Sequence, residues 1–323
     1  MKDDILLEVK DLKKYYYPRK GRKKETKPVR AVDGVSFQIP AGTTYGLVGE
    51  SGCGKTTIGK TVMRLQDATA GQILFHGRDI LPCRRNELRQ LRPKMQMIFQ
   101  DPFSSMDPKK TIYQIVSEPV REFKLYPKNQ MRDKVVETLE NCGMTGDCLE
   151  KYPHEFSGGQ RQRICIARAL IVSPEFVVCD EPVSALDVSI QAQVINLLKQ
   201  LQREYGMAYL FISHDLSVVE HVSDYVGVMY LGRLVETAPK RDLFSRPLHP
   251  YTQALLSAVP VPDLHRKGQR IVLSGDVPSA DNPPAGCPFH TRCRHCQEIC
   301  KTQAPEWKEY GADHFVSCHF AGE

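Results

Sequence analysis

A glycine-rich segment early in the chain has the spacing G-x-x-x-x-G-K-[ST] of a phosphate-binding loop: Gly49-Glu50-Ser51-Gly52-Cys53-Gly54-Lys55-Thr56-Thr57. It follows a short apolar run, Thr44 to Val48, and precedes a predicted helix from Lys55 to Leu65, which is the context this spacing requires. Glycines let backbone N–H groups turn onto phosphate oxygens, and the start of the helix adds the positive end of its dipole. Lys55 is expected to reach the β- and γ-phosphates and Thr56 to ligate Mg²⁺. The candidate nucleotide-binding residues are Gly49, Ser51, Gly52, Gly54, Lys55, Thr56 and Thr57.

Two adjacent carboxylates, Asp180 and Glu181, follow the apolar run Phe176 to Cys179. Asp180 would end a buried strand and hold Mg²⁺ through water, and Glu181 would act beside the γ-phosphate as a base or water-positioning residue. Two carboxylates after a strand can also form an ordinary surface turn. A phosphate-binding loop needs a second metal ligand, so the pair favours the catalytic interpretation.

The segment Ser157-Gly158-Gly159-Gln160 opens a predicted helix that runs to Leu170. Serine is a good N-cap, and the two glycines expose the first N–H groups of the helix to an anion. The alternative is an N-capped basic helix that binds no ligand.

Short apolar strands alternate with helices, which predicts a parallel sheet in an α/β core. Ile5 to Val9, Ala31 to Ile39 and Ala208 to Ile212 are predicted strands. An amphipathic helix that ends at Gly206 is predicted from apolar residues three and four positions apart. These residues are Ile190, Val194, Leu197, Leu198, Leu201 and Tyr205.

Two further stretches differ in composition from this core. The stretch from about Gln100 to Ser157 is rich in Glu, Lys, Leu and Val, is broken by prolines, and is predicted to be a helical insert. Pro260 to Pro284 is rich in Pro, Ser, Gly and Asp and is predicted to be a linker.

Composition and charge exclude several classes of protein. Hydrophobic residues make up 41% of the 323 residues and charged residues 25%, and no run approaches the length of a membrane span. The first residues do not resemble a secretory signal, so a cytosolic protein is expected. Residues 13–30 hold nine Lys or Arg and one Glu, which accounts for more than the net charge of +6. A nucleic-acid surface spread over the fold is therefore not expected, and the basic loop either stays solvated or contacts anionic lipid.

Five of the eleven cysteines lie in the last forty residues: Cys287, Cys293, Cys296, Cys300 and Cys318. In a cytosolic protein such a group is a metal candidate before it is a disulfide candidate. Cys293-x-x-Cys296 is a zinc-like pair, and the histidines nearby are His290, His295, His314 and His319. Four thiolates are the ligands that an iron–sulfur cluster requires, and this set is favoured over zinc.

Six motifs in one order, over roughly residues 5 to 240, resemble the ABC ATPase family. Besides the three segments above, they are the Q-loop-like Ile98-Phe99-Gln100-Asp101-Pro102, the D-loop-like Ser184-Ala185-Leu186-Asp187, and His214 in Phe211-Ile212-Ser213-His214-Asp215. The resemblance implies a RecA-like P-loop NTPase core of α/β class with an antiparallel β subdomain. It also implies an α-helical subdomain from about 100 to 165.

The same resemblance implies a mechanism shared between two chains. Two ATPase domains face head to tail and enclose two ATP molecules, so each chain holds two half-sites. The residues expected to contact the partner's nucleotide are Ser157, Gly158, Gly159 and Gln160.

The resemblance also implies roles for single residues within one chain. His214 would contact the γ-phosphate and help Glu181 to orient water. Gln100 would contact Mg²⁺ and relay its state to a membrane partner. Tyr16 aligns best with the aromatic residue on which adenine stacks, and Tyr15 and Tyr17 are its competitors.

The tail resembles the C-terminal region of oligopeptide and dipeptide importer ATPases. Leu248-His249-Pro250-Tyr251-Thr252-Gln253-Ala254-Leu255-Leu256 and Cys287-Pro288-Phe289-His290-Thr291-Arg292-Cys293 carry this likeness, as do GESGCGKTT, QDPFSSMDP and DEPVSALDVSIQAQV. In such proteins the tail can hold a [4Fe-4S] cluster. The residues that match the spacing are Cys287, Cys293, Cys300 and Cys318. Zinc, or thiols without a metal, are the alternatives, and Cys296 is an additional thiol.

We therefore expect an ATP-hydrolysing subunit of a peptide importer, with residues 1–259 as the nucleotide-binding domain and 260–323 as linker and Cys-rich extension. Its partners would be two transmembrane permease subunits, a second ABC ATPase subunit and, indirectly, an extracytoplasmic peptide-binding protein. It would lie on the cytoplasmic face of the membrane and bind no nucleic acid. A soluble ABC ATPase acting on ribosomes or DNA, and an importer ATPase for nickel or another solute, are the alternatives. Because the ATP motifs lie in another part of the chain, loss of the cluster is expected to loosen the tail and its docking more than it alters nucleotide binding.

Overall fold

The computed structural model describes residues 4–17, 27–259 and 271–322. The strands are β1 (Ile5–Tyr16), β2 (Val29–Pro40), β3 (Thr44–Val48), β4 (Ala70–Phe75), β5 (Arg78–Asp79), β6 (Met95–Ile98), β7 (Phe176–Asp180), β8 (Ala208–Ile212), β9 (Tyr225–Tyr230), β10 (Arg233–Pro239), β11 (Lys308–Gly311) and β12 (His314–Val316). The α-helices are α1 (Lys55–Val62), α2 (Arg85–Leu91), α3 (Ile112–Phe123), α4 (Met131–Asn141), α5 (Gly158–Leu170), α6 (Val188–Tyr205), α7 (Leu216–Val222), α8 (Lys240–Ser245), α9 (Pro250–Ser257) and α10 (Glu298–Thr302). Chain contacts divide these residues into two units. The first unit holds residues 4–6, 39–43 and 82–212, and the second holds the remainder.

The first unit contains three neighbouring parallel strands in the order β6, β7, β8. Cys179 on β7 lies opposite Ile98 on one side and Phe211 on the other. Every residue of β7 and β8 is buried, which explains their continuous apolar sequences, because parallel strands are usually covered on both faces. Asp180 is the last residue of β7, so the first of the paired carboxylates lies at the C-terminal end of a buried strand, as predicted.

Three helices of the first unit, α3, α4 and α5, contact one another. Two of them, α3 and α4, lie in the stretch predicted to be helical. The capping residue of α3 is Thr111, whose side chain accepts a hydrogen bond from the N–H of Gln114. Helix α6 ends at Gly206, which has a left-handed φ of 66°. This is the predicted glycine stop, because glycine adopts that conformation without a Cβ clash.

The second unit has two sets of strands. One set has the order β2-β1-β4-β5, with β1–β4 and β4–β5 antiparallel. The other has the order β11-β12-β10-β9-β3, in which only β3 and β9 pair in parallel. Strands β1 and β2 are longer than the predicted apolar runs. Pairing of Lys10 and Lys13 with β4 carries β1 past Val9, the last residue of its predicted run.

Helix α1 is shorter than predicted and ends at Val62 instead of Leu65. The chain turns at Arg64, whose φ is 52°, so the helical hydrogen-bond pattern stops there. The part of the predicted linker that is described, residues 271–284, contains no helix or strand. Residues 260–270 of that linker, and residues 18–26 of the basic loop, lie outside the described part of the chain.

The C-terminal extension adds the β11–β12 hairpin to the edge of β10, where Val316 lies opposite Glu236. Glu236 is fully buried. Its carboxylate accepts hydrogen bonds from the N–H groups of Leu248 and His249, at 2.8 and 3.0 Å. Its Oε1 also lies 2.8 Å from Nε2 of His314 on β12. One buried carboxylate thus joins β10, the start of α9 and the terminal hairpin.

Replacement of Glu236 by Ala is expected to lower the free energy of unfolding by about 3 kcal/mol or more, since buried donors would lose their acceptor. Chemical denaturation followed by circular dichroism measures this. The matched control is Glu220→Ala on α7, where the side chain is exposed, and it should change the value by less than about 0.5 kcal/mol. Equal stability of the two variants would contradict this role of Glu236.

Candidate nucleotide-binding site

The predicted phosphate-binding loop connects the buried strand β3 to helix α1 in the second unit. Gly49 and Gly54 have φ values of 152° and 108°. A Cβ on Gly49 would lie 2.2 Å from the carbonyl oxygen of Met229, and one on Gly54 would lie 2.1 Å from that of Ala31. Both positions therefore require glycine for backbone conformation and for space.

Lys55 lies inside this loop and is 5% exposed. Its ammonium donates hydrogen bonds to the carbonyl oxygens of Gly49, at 2.7 Å, and Glu50, at 3.0 Å. Ser51 and Gly52 are exposed at the tip of the loop, and α1 begins at Lys55 without a side-chain cap. The uncapped start of a helix suits an anion, because its first N–H groups have no partner within the helix.

The three candidate tyrosines at the end of β1 differ in their surroundings. The Tyr15 hydroxyl donates a hydrogen bond to Asp33, and burial followed by this contact raises the pKa of Tyr15 to about 12. The Tyr16 hydroxyl donates to Oε1 of Gln66, and the Lys14 ammonium lies 4.9 Å from the centre of its ring. Tyr16 is 39% exposed, so its ring retains surface on which a base could stack.

His214 also belongs to the second unit, where it is exposed between β8 and α7. Its neighbours fix the backbone on both sides. The N–H of Ser213 donates to the carbonyl of Leu47 on β3, and Asp215 accepts from the N–H groups of Ser217 and Val218 at the start of α7.

In the first unit the structure brings together two predicted catalytic residues, Gln100 and Glu181. The amide Nε2 of Gln100 donates to Oε2 of Glu181 at 2.9 Å. Glu181 has a φ of 48°, and its N–H donates to the carbonyl of Ile212. Non-glycine residues rarely adopt this conformation, and such strain is often found at functional sites. The left-handed conformation of Glu181 turns the chain sharply after the buried Asp180.

The Ser157–Gln160 segment caps helix α5, as the sequence indicates. The Ser157 hydroxyl accepts from the N–H of Gln160, and the Gln160 side chain accepts from the N–H of Ser157. Gln160 therefore has a structural role of its own. A Cβ on Gly159 would lie 2.4 Å from Cγ2 of Ile190, whereas one on Gly158 would make an ordinary 3.4 Å contact with Leu186. Gly159 is needed for packing, and Gly158 faces more open space.

Four cysteines of the extension line one cavity of about 360 Å³ in the second unit: Cys287, Cys293, Cys300 and Cys318. Cys296 does not line it. Burial, together with the charges of the other three thiols, raises the pKa of Cys287 to about 12. Within the described ranges, no three side chains of His, Cys, Asp or Glu form a group that could hold a metal ion.

The extension also contacts the phosphate-binding loop, which the sequence did not indicate. The Arg292 guanidinium binds the Glu50 carboxylate through two hydrogen bonds of 2.7 and 3.1 Å. The extension therefore contacts the loop although the two lie far apart in sequence, and the effect of losing the cluster on nucleotide binding stays a prediction. Arg292 lies within the family-like tail motif, but nothing in that motif identified Glu50 as its partner.

Comparison with known proteins identifies two matched regions. Residues 32–184 match the ABC transporter family model, and residues 235–300 match the oligopeptide/dipeptide transporter C-terminal region. The chain is 54% identical to the oligopeptide transport ATP-binding protein AppF of Bacillus subtilis (strain 168) over 320 residues, 98% of this chain and 97% of the relative. It is 51% identical to the putative oligopeptide transport ATP-binding protein YkfD of the same organism over 317 residues, 97% of this chain and 95% of the relative.

Solved structures agree with this assignment. The cbiO1 protein from Clostridium perfringens, part of the ABC transporter complex cbiONQ, matches with a TM-score of 0.66 and 27% identity, covering 76% of this chain and 92% of that chain. The dimeric ATP-binding cassette MJ0796, bound to ADP and Pi, matches with a TM-score of 0.65 and 25% identity, covering 73% of this chain and 99% of that chain.

The chain therefore has the α/β fold of an ABC ATPase and belongs to the family of ABC transporter ATP-binding proteins. Within that family it belongs to the oligopeptide/dipeptide transporter group, because its C-terminal region matches as well. Among the residues that the structure describes, no helix has the length and apolar character needed to cross a membrane.

Proposed function

We propose that this chain is the ATP-hydrolysing subunit of a membrane importer of dipeptides and oligopeptides. The observation that carries the proposal is the presence, in one chain, of a complete phosphate-binding loop and the C-terminal region of oligopeptide/dipeptide transporters. Relatives that share nearly the whole length are named for oligopeptide or peptide transport. These names favour peptides over nickel as cargo, and favour an importer over an ATPase acting on ribosomes or DNA.

We infer the following roles within one chain. Lys55 would bind the β- and γ-phosphates of ATP, and Thr56 would ligate Mg²⁺ together with Gln100 and, through water, Asp180. Glu181 would act as base or water-positioning residue with help from His214. The Gln100–Glu181 hydrogen bond supports a shared role for these two residues.

The remaining nucleotide contacts would come from the loop and from the base. Gly49, Ser51, Gly52, Gly54 and Thr57 would surround the phosphates with backbone and hydroxyl donors. Tyr16 would stack on adenine, which its exposed ring supports.

The second half of each ATP site would come from another ATPase subunit, a copy of this chain or a relative. Its Ser157–Gln160 segment would approach the γ-phosphate with the N-terminal end of α5, where the helix dipole favours an anion. MJ0796, a structural neighbour bound to ADP and Pi, is itself dimeric. Two permease subunits and an extracytoplasmic peptide-binding protein would complete the importer, with this chain on the cytoplasmic face and no nucleic acid bound.

We also propose the division of the chain expected from the sequence. Residues 1–259 would form the nucleotide-binding domain, with a helical subdomain from about 100 to 165, and residues 260–323 would form the linker and Cys-rich extension. The mutual contacts of α3, α4 and α5 support the helical subdomain.

Replacement of Glu181 by Gln should keep ATP binding and slow hydrolysis about 100-fold or more in the assembled transporter, because a positioned base contributes on that scale. Lys55→Ala should instead lose nucleotide binding, since the buried ammonium would bind the β- and γ-phosphates. Equilibrium binding and phosphate release measure the two effects. Wild-type hydrolysis by Glu181→Gln would exclude Glu181 as the base.

The signature segment is best tested at Gly158, because a side chain at Gly159 would clash with Ile190. Gly158→Asp places a carboxylate where an anion docks, and should lower turnover of the assembled transporter about 10-fold or more. The matched control, Gly158→Ala, should retain most activity. Nucleotide affinity of the isolated chain should be unchanged in both. A loss of affinity in isolated Gly158→Asp would show that the segment acts within its own chain.

We further propose that the Cys-rich cavity holds a [4Fe-4S] cluster, which would act as a structural clasp. Four soft thiolates are the donor set of such a cluster, and all four line a cavity of about 360 Å³. His314, one of the histidines in the zinc alternative, bonds to Glu236 instead.

Anaerobically purified protein should be brown and contain iron and acid-labile sulfide, because four thiolates retain such a cluster. Serine at Cys287, Cys293, Cys300 or Cys318 should remove most of the iron. Cys296→Ser is the matched control and should retain it, since Cys296 does not line the cavity. Stoichiometric zinc without sulfide would contradict the assignment of a cluster. If Cys296→Ser lost iron and the other four variants retained it, the assigned set of ligands would be wrong.

A further inference from the structure

The second residue of the phosphate-binding loop, Glu50, is held by two residues from beyond residue 250 of the chain. Its carboxylate receives both Nη groups of Arg292. Its backbone N–H donates to the Tyr251 hydroxyl at 3.0 Å. Arg292 is 8% exposed and Glu50 28%. The bond to Glu50 also raises the pKa of Arg292. A shielded, two-point contact of this kind fixes orientation more firmly than a single surface ion pair.

Glu50 is also the residue that the nucleotide-binding lysine contacts. The Lys55 ammonium donates to the carbonyl oxygens of Gly49 and Glu50. Direct contacts therefore run from Lys55 through the backbone of Glu50 to its carboxylate and on to Arg292. Any movement of Arg292 that rotates the Glu50 peptide would displace an acceptor of the lysine.

Both contacts start from a rigid aromatic base. Tyr251 is fully buried, and its ring packs against Tyr230 and Phe289, with centres 4.8 and 5.3 Å apart. Phe289 is buried too and lies between Cys287 and Arg292 in sequence, and the N–H of Arg292 donates to its carbonyl. The short segment that lines the cysteine cavity therefore also places the guanidinium on Glu50.

We propose that the Cys-rich extension is a positioning element of the phosphate-binding loop: Arg292 of the extension, together with Tyr251 of α9, holds Glu50 in the conformation that receives nucleotide phosphates. Arg292 is a positioning residue, because it acts through Glu50. Preorganisation of this kind raises affinity by removing the cost of ordering the loop when ligand binds. By reciprocity, nucleotide binding stabilises the docked extension to the same degree. The proposal rests on the ATP-binding part of the proposed function and on no property of the metal.

The test measures the dissociation constant of Mg·ATP for the full chain and its variants. Arg292→Ala should weaken affinity about 10-fold, because it removes a charge-assisted contact from the loop. Arg292→Lys should restore part of the affinity, since it keeps the charge and loses the two-point geometry. The matched control, Arg294→Ala, removes an exposed arginine two positions away that also borders the cysteine cavity, and it should bind ATP like the wild type.

A double-mutant cycle separates positioning from general damage to the extension. Glu50→Ala combined with Arg292→Ala should weaken affinity no more than either change alone, because both remove the same contact. In the assembled transporter Arg292→Ala should raise KM for ATP more than it lowers kcat. If Arg292→Ala fails to fold, Glu50→Gln leaves the extension intact and must weaken affinity in the same direction.

Wild-type affinity in both Arg292→Ala and Glu50→Gln would overturn the proposal. So would additive effects in the cycle. Failure of the proposed function looks different, because wild-type protein would then not bind Mg·ATP, or Lys55→Ala would bind it equally well. Equal weakening by Arg294→Ala and Arg292→Ala would show that the cavity as a whole matters and would also contradict a specific role for Arg292.

Discussion

The buried ammonium of Lys55, bonded to two carbonyls of its own loop, is the interaction on which the nucleotide site depends. It requires a backbone that curls around one side chain, and that curl demands glycine where the loop touches neighbouring carbonyls at Met229 and Ala31. The strand before the loop is fully buried, and the helix after it starts without a side-chain cap. Core packing therefore fixes the position of the loop and places the start of α1 at its end, where the helix dipole favours an anion.

Buried polar contacts also fix the position of the C-terminal extension. Glu236 joins β10, the start of α9 and β12, while Arg292 and Tyr251 reach the phosphate-binding loop. His249 sits within this network, and burial lowers its pKa to about 4, so its ring stays neutral and Nδ1 can accept from the N–H of Tyr251. An extension fastened in this way has little freedom to move without disturbing the loop. Its cysteine cavity and the nucleotide site thus share one structural support.

The sequence was informative wherever local chemistry determines conformation. Fully buried strands such as β7 appear in the sequence as continuous apolar runs. Gly206 marks the end of α6 because the chain leaves the helix there in the left-handed conformation, which glycine adopts readily. The motifs also predicted family membership, which the comparisons confirm. Long-range pairing left no such pattern. Nothing local relates Glu50 to Arg292, which lies 242 positions away. The β11–β12 hairpin was not predicted either, because both strands are short and every residue of β11 is exposed. The roles of Tyr16, His214 and the four cavity cysteines stay predictions.

The central claim is that ATP hydrolysis by this chain drives peptide import through separate membrane subunits. The most direct measurement is uptake of radiolabelled di- and oligopeptides into proteoliposomes that contain the chain with the membrane subunits and the extracytoplasmic peptide-binding protein of its importer. The account predicts that uptake requires ATP on the side of the membrane where this chain lies. Unlabelled peptide should inhibit uptake of the labelled peptide, and nickel should not. ATP hydrolysis without peptide uptake, or uptake of nickel in its place, would contradict the account.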